Sequence, residues 1–262
     1  MVSNIIAILS IIAILAFAFI KKQLTVAATI AAFIVGVTLY FCGGWTFLAC
    51  LYTFFISSTV VSSVKKSYKK KQISGIHHKS GQRDIVQVLA NSLIAVILAF
   101  LYYFTKNDIY YISVFIAFAC FNADTWASEL GIISKKDNIY MIGFKKVQKG
   151  ISGAVTIFGL ICSLCGSLLV ALIYMFIYVD IKIVLIITLF GFIGSFFDSI
   201  MGQLFQVLYF DKELNKFTEK KHNGKTENEK IKGYEIINND VVNFIAPIIS
   251  VSLYIIIRTC IG

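Results

Sequence analysis

Eight long apolar runs, at residues 4–20, 24–41, 45–64, 85–104, 109–131, 151–179, 181–210 and 241–261, are separated by short polar connectors. Each run approaches or exceeds the roughly 20 residues that a helix needs to cross a bilayer. The pattern predicts an all-α polytopic integral membrane protein with about eight transmembrane helices. Residues 1–262 read as a single membrane domain, with the connectors 63–84, 132–150 and 210–238 as cytoplasmic loops.

The polar residues inside these runs are more informative than the runs themselves. In the fourth, Arg83, Gln87 and Asn91 fall at i, i+4 and i+8, which predicts one helical stripe beginning at the polar end, just after Lys79. The fifth ends in Asp124, Thr125, Trp126, Ser128 and Glu129. The sixth opens on Lys149, Gly150 and Ser152, where a helix N-terminus would favour an anion, and continues in a small-residue stripe of Thr156, Gly159, Ser163 and Gly166. The seventh places Gly191, Gly194, Ser195, Asp198, Gly202 and Gln206 on one face. The eighth begins Asn238, Asn239, Asp240 and has Asn243 one turn on; any one of those first three residues could equally be an N-cap.

Asp124, Glu129, Asp198 and Asp240 therefore sit in or at the ends of membrane spans. An ionised Asp at a span centre costs roughly 2.5 to 3.5 kcal/mol on insertion scales, so four left uncompensated would cost on the order of 10 kcal/mol. Something cationic must balance them, and an intramembrane carboxylate is a functional-site hypothesis by default.

Composition agrees with a membrane protein: 58% of residues are hydrophobic and the mean hydropathy is +0.82, well above soluble usage. The net charge of +10 could suggest nucleic acid, but 21 of the 24 Lys and Arg fall in connectors that one orientation puts on the same side. Positive-inside bias accounts for them, and no nucleic acid is expected as a partner. The expected arrangement is a multi-pass protein of the cell membrane with the N-terminus outside. Lys21 and Lys22 follow the first run directly, which favours a retained helix over a cleaved signal peptide. The polar ends of the last five spans then share the cytoplasmic side, so the active site should face the cytoplasm. Cys162 and Cys165 form a C-x-x-C on an apolar helix and read as packing residues, with no zinc or disulfide assigned.

Carboxylates suit Mg²⁺, which takes one or two of them plus substrate phosphates, while Lys79, Arg83 and Lys149 suit phosphate oxygens. Phosphoryl transfer needs this equipment, because its catalysis is mostly positioning and charge neutralisation. An acceptor that is itself a phosphate needs no strong base, which fits a chain whose only histidines are the loop residues His77, His78 and His222. Gly224-Lys225-Thr226 is not a P-loop, since the first glycine would have to stand where Glu219 does.

The segments Lys79 to Arg83 with Gln87 to Asn91, Ala123 to Gly131, Gly194 to Ser199 and Asn239 to Asn243 resemble, in order, the motifs of a membrane family known as domain of unknown function ninety-two. That family includes the plant phytyl-phosphate kinase of tocopherol synthesis. The resemblance covers nearly the whole chain. It implies transfer of a phosphoryl group, with CTP as donor, to a prenyl or phytyl monophosphate in the membrane lipid, giving the diphosphate. On that reading Asp124, Asp198 and Asp240 are catalytic, and Asp124, Glu129, Asp198 and Asp240 surround Mg²⁺. Lys79, Arg83, Gln87, Asn91, Lys149, Ser152, Asn239 and Asn243 bind substrate. Two alternatives stay open: a cation-coupled transporter or flippase of a lipid phosphate, which also uses intramembrane carboxylates, and a CTP-dependent cytidylyltransferase making a CDP-lipid.

Overall fold

A computed structural model describes residues 1–72, 82–134, 138–148, 151–224 and 226–261. The first helix, α1 (Val2–Ile20), is followed by α2 (Val26–Gln72), a continuous helical stretch broken at Gly44, whose φ of 66° and ψ of −153° lie outside helical space. Glycine alone adopts that conformation without strain. The chain reverses there: Gly36 and Tyr52, eight residues before and after Gly44, both meet α1, Gly36 facing Ile11 and the Tyr52 hydroxyl 2.7 Å from Ser10 Oγ. The second and third sequence runs are thus the two limbs of one hairpin.

The fourth run is not a single helix. It divides into α3 (Ile85–Ala90) and α4 (Leu93–Thr105). Asp84 and Gln87 form a reciprocal capping box at the start of α3, with the Asp84 carboxylate accepting from Gln87 N–H at 3.0 Å and Gln87 Oε1 accepting from Asp84 N–H at 3.2 Å. Asn91 ends it, donating from Nδ2 to the Gln87 carbonyl at 2.9 Å. Side chains that compete for backbone groups favour helix ends over helix interiors. The expected Arg83, Gln87 and Asn91 stripe is corrected accordingly: Arg83 precedes the helix and pairs with the segment just before α2, its N–H donating to Gln23 and its carbonyl accepting from Thr25.

α5 (Asp108–Gly131) is the hub, packed by α2, α4, α6 (Ile157–Tyr178), α7 (Ile181–Leu204) and α8 (Asn239–Ile261). Among the described residues six helices are long and apolar enough to cross a membrane, and of these α5 is the least apolar and the most buried. Neighbouring helices, not lipid, surround it, which is why it tolerates polar residues. Asn122 joins three elements, accepting from Ser57 Oγ at 2.6 Å and donating to the Gly166 carbonyl at 2.7 Å. A Cβ on Gly166 would lie 3.0 Å from the Asn122 carbonyl oxygen and 2.9 Å from Trp126 Cγ, so α6 crosses α5 at a distance only glycine permits.

At one end of the bundle the connectors fold into small antiparallel sheets. In the first, β1 (Asn138–Tyr140) pairs with both β2 (Lys146–Val147) and β3 (Ala154–Val155). Between α7 and α8, β4 (Leu208–Asp211) pairs with β5 (Lys216–Thr218) and β8 (Glu229–Lys232), and β6 (His222–Asn223) pairs with β7 (Thr226–Glu227). Two sequence boundaries move as a result. The sixth span starts at Ile157 with Thr156 as its N-cap, accepting from Gly159 N–H at 2.9 Å, so Ser152 lies in a loop and off the helical stripe. The seventh ends at Leu204, so Gln206 reaches the same region from the connector.

Candidate active site

The connectors and the ends of α2, α3, α5, α7 and α8 enclose a cavity of about 850 Å³. Arg83, Gln87, Asn91, Asp124, Glu129, Ser152, Asp198, Asn239, Asp240 and Asn243 all line it, although they come from five separate stretches of chain. Lys79 and Lys149 lie outside the described residues.

The carboxylates form a chain of electrostatic neighbours. Arg83 interacts with Glu129, Glu129 with Asp124, Asp198 with Glu219, and Glu219 with Asp240. Asp124 of α5 and Asp198 of α7 are in direct hydrogen-bonding contact at its centre. Two carboxyl groups that close require a proton or a cation between them. Among the described residues, no three His, Cys, Asp or Glu side chains close into a ready-made metal cage. The donor set is hard oxygen, of the kind Mg²⁺ accepts when substrate phosphates complete its shell.

Neighbouring groups fix these carboxylates. With its amide turned so that both ends are bonded, Asn243 donates to Asp198 Oδ2 at 3.0 Å and accepts from Asn239 Nδ2 at 3.1 Å. Asn238 Oδ1 accepts from Val241 N–H at 3.1 Å and so caps α8, freeing Asn239 and Asp240 to face the cavity from its first turn. Arg83 Nη2 donates to Ser58 Oγ at 3.2 Å and its guanidinium lies over the Phe55 ring. Burial pulls the Arg83 guanidinium below its ordinary pKa, and Glu129 opposes that.

Glu219 escapes sequence reading because it stands in a lysine-rich connector, Lys216-Phe-Thr-Glu-Lys-Lys221, where a carboxylate reads as a solvated loop charge. The β4, β5 and β8 sheet turns it inward. Ser152 Oγ donates to it, as does Gln206 Nε2 at 2.9 Å. Burial pushes its carboxyl above the usual range, Asp240 adds to that and the Ser152 bond opposes it. The loop holding Ser152 sits tightly on α7: Gly153 has φ +78°, and a Cβ there would come within 2.6 Å of the Ser199 carbonyl oxygen. Lys21, Lys221 and Glu235 also line the cavity, giving six carboxylates against three cations among its described lining residues.

Away from this end the polar lining gives way to packed aromatics. Phe47, Tyr111, Phe115, Phe118 and Phe121 are buried together in the interior of the bundle.

The model of the family described as integral membrane protein DUF92 matches residues 9–251. The chain belongs to this family. Protein PGR of Arabidopsis thaliana is 32% identical over 88% of this chain and 87% of its own length. An uncharacterized membrane protein of Methanocaldococcus jannaschii is 38% identical over 65% of this chain and 69% of its own, and one of Synechocystis is 28% identical over 71% and 73%. No solved structure matches.

Proposed function

We propose that the protein transfers a phosphoryl group from a nucleoside triphosphate, CTP by resemblance, to an isoprenoid monophosphate held in the membrane. The observation that carries this reading is the single cavity in which a membrane-embedded carboxylate pair, Asp124 and Asp198, meets Arg83 and a set of amides at one end of the bundle. An excess of carboxylates over cations suits a divalent cation brought in with a polyphosphate. Where Mg²⁺ binds, Asp124 and Asp198 would hold it, with Glu129 and Asp240 at the flanks, and it would supply charge neutralisation for the phosphates. Arg83, an electrostatic neighbour of Glu129, would bind phosphate oxygens, assisted by Lys79 and Lys149 of the connectors. Asn239 and Asn243 orient the Asp198 carboxylate, and Gln87 and Asn91 present the end of α3.

In the reaction an acceptor phosphate oxygen attacks the γ-phosphorus, the bond to the β,γ-bridging oxygen breaks, and the nucleoside diphosphate leaves. The acceptor is already ionised near neutral pH, so positioning replaces base catalysis. The aromatic packing beyond the cavity favours an enzyme over a transporter, whose path would need polar groups toward both faces. The basic connectors support a cavity on the cytoplasmic side, with the N-terminus outside.

Purified protein given labelled CTP, Mg²⁺ and phytyl or prenyl monophosphate should release CDP and form the lipid diphosphate. Pyrophosphate with a CMP-bearing lipid would replace the kinase by a cytidylyltransferase. No nucleotide consumption, with lipid phosphate crossing reconstituted vesicles, would replace it by a transporter.

A further inference from the structure

The cavity has a second, apolar limb that runs away from the carboxylates between the two limbs of α2 and the short helix α3. Its walls are Ala32 and Val35 from the first limb of α2, Leu51, Phe54 and Phe55 from the second, and Val88 from α3. Polar side chains line its mouth, at Gln23, Thr59 and Ser62, and one more, Ser92, follows Val88 at the end of α3. We infer that this limb holds the hydrocarbon tail of the acceptor, with the phosphate at the Asp124 and Asp198 end and the chain pointing toward Gly44. The inference rests on the proposed lipid-phosphate acceptor and adds where its tail lies and what limits its length.

Three features support it. The limb is continuous with the polar cavity, so one amphiphile fills both parts. Its lining is the kind that stays dry and takes apolar ligands, and the whole cavity is within the size range of small-molecule sites. Its depth is also bounded. Val35 lies ten residues beyond Thr25, which directly follows the lining residues Gln23 and Leu24, or about 15 Å along the helix, half of the roughly 30 Å hydrocarbon core. Beyond Val35 and Leu51, toward Gly44, no residue of either limb lines the cavity, and Leu39, Leu48 and Phe47 there are fully buried in packed core. A tail longer than this depth must bend back or leave the limb, so the protein should discriminate among acceptors by chain length. Ala32 is the narrowest side chain on the wall and controls its width.

The test has a binding arm and a turnover arm. An isoprenoid monophosphate carrying a diazirine near the chain terminus is photolysed with the purified full-length protein, and labelled peptides are mapped with and without excess phytyl phosphate. Competable labelling at residues 32–35, 51–55 or 88 is expected. Competable labelling confined to the outer faces of α7 and α8 would overturn the tail site even if the kinase reaction is intact. Labelling in the limb without nucleotide turnover would keep the tail site and reject the kinase.

For turnover, Ala32→Phe should reduce kcat/KM for a long-chain acceptor relative to a short-chain one by about tenfold or more. Leu51→Ala should shift the ratio the opposite way, and it serves alone if Ala32→Phe does not accumulate. An unchanged ratio in a folded variant would remove the limb from chain-length selection and overturn the inference.

Discussion

Asn243, in the first turns of α8, donates to Asp198 Oδ2 of α7 at 3.0 Å while accepting from Asn239 Nδ2 one turn earlier. A carboxylate at the centre of the cavity is thereby held by an amide whose own orientation is fixed. Replacing Asn243 by Ala leaves Asp198 free to turn and costs about 1–3 kcal/mol of positioning, so kcat should fall about tenfold to a hundredfold. Steady-state rates on purified Asn243→Ala check this, and near-normal turnover would show that Asp198 needs no such support.

Asp198 itself has no basic residue one or two turns away on its face of α7, where its neighbours are Gly191, Gly194, Ser195 and Gly202. Asp198→Asn keeps its shape and removes its charge, so the variant should accumulate in membranes and lose activity. Retained turnover would take Asp198 out of the cation site. Failure to accumulate, seen by size-exclusion of the detergent-extracted protein, would make its role architectural.

Glu219 ties the connector after α7 to the loop before α6 by accepting from Ser152 and Gln206. Glu219→Ala strands both donors, which should cost about 1–3 kcal/mol locally. Limited proteolysis should then cut residues 208–232 faster than in the parent protein while the helical bundle stays intact. Equal cleavage rates would mean that the sheet alone holds this connector in place.

Lys232 donates to the Gly202 and Gln203 carbonyls at 3.3 and 2.7 Å and lies over the Tyr140 ring. Burial holds its pKa at about 8 against an ordinary 10.5. Between those values the unfolded state binds more protons than the folded one, so stability rises with pH across that window. Below it the difference is constant. Melting temperatures of the parent protein relative to Lys232→Met, measured from pH 7 to 10.5, should increase above pH 8. A flat difference would show that the bonds to the two carbonyls offset burial.

Orientation is testable with the exposed residues Lys212 and Asn107, which belong to opposite ends of the bundle. Single-Cys variants at each, in a Cys-free background, should differ: Asn107→Cys should react with an impermeant thiol reagent on intact cells and Lys212→Cys should not. The reverse pattern would invert the protein in the membrane and put the cavity outside.

The membrane class and the approximate number of spans follow from the sequence because hydrocarbon imposes a length and a composition on each helix. The intramembrane polar residues were legible for the same reason: Asp124, Asp198 and Asp240 are conspicuous against apolar neighbours, and a charge that costs kcal/mol in lipid must have a use. What helical periodicity could not supply was where helices stop. Arg83, Gln87 and Asn91 share a stripe only if the helix is unbroken, and the capping by Asp84 and Asn91, which satisfies backbone groups locally, ends it on both sides. Ser152 and Gln206 likewise left their assigned helices yet reached the same cavity, because Thr156 begins α6 late and the chain after Leu204 turns into a strand. Glu219 depended wholly on tertiary structure. In a basic connector its charge is unremarked by any local pattern, and only the docking of the β4, β5 and β8 sheet against the loop at Ser152 removes it from water and makes it an electrostatic neighbour of Asp198 and Asp240.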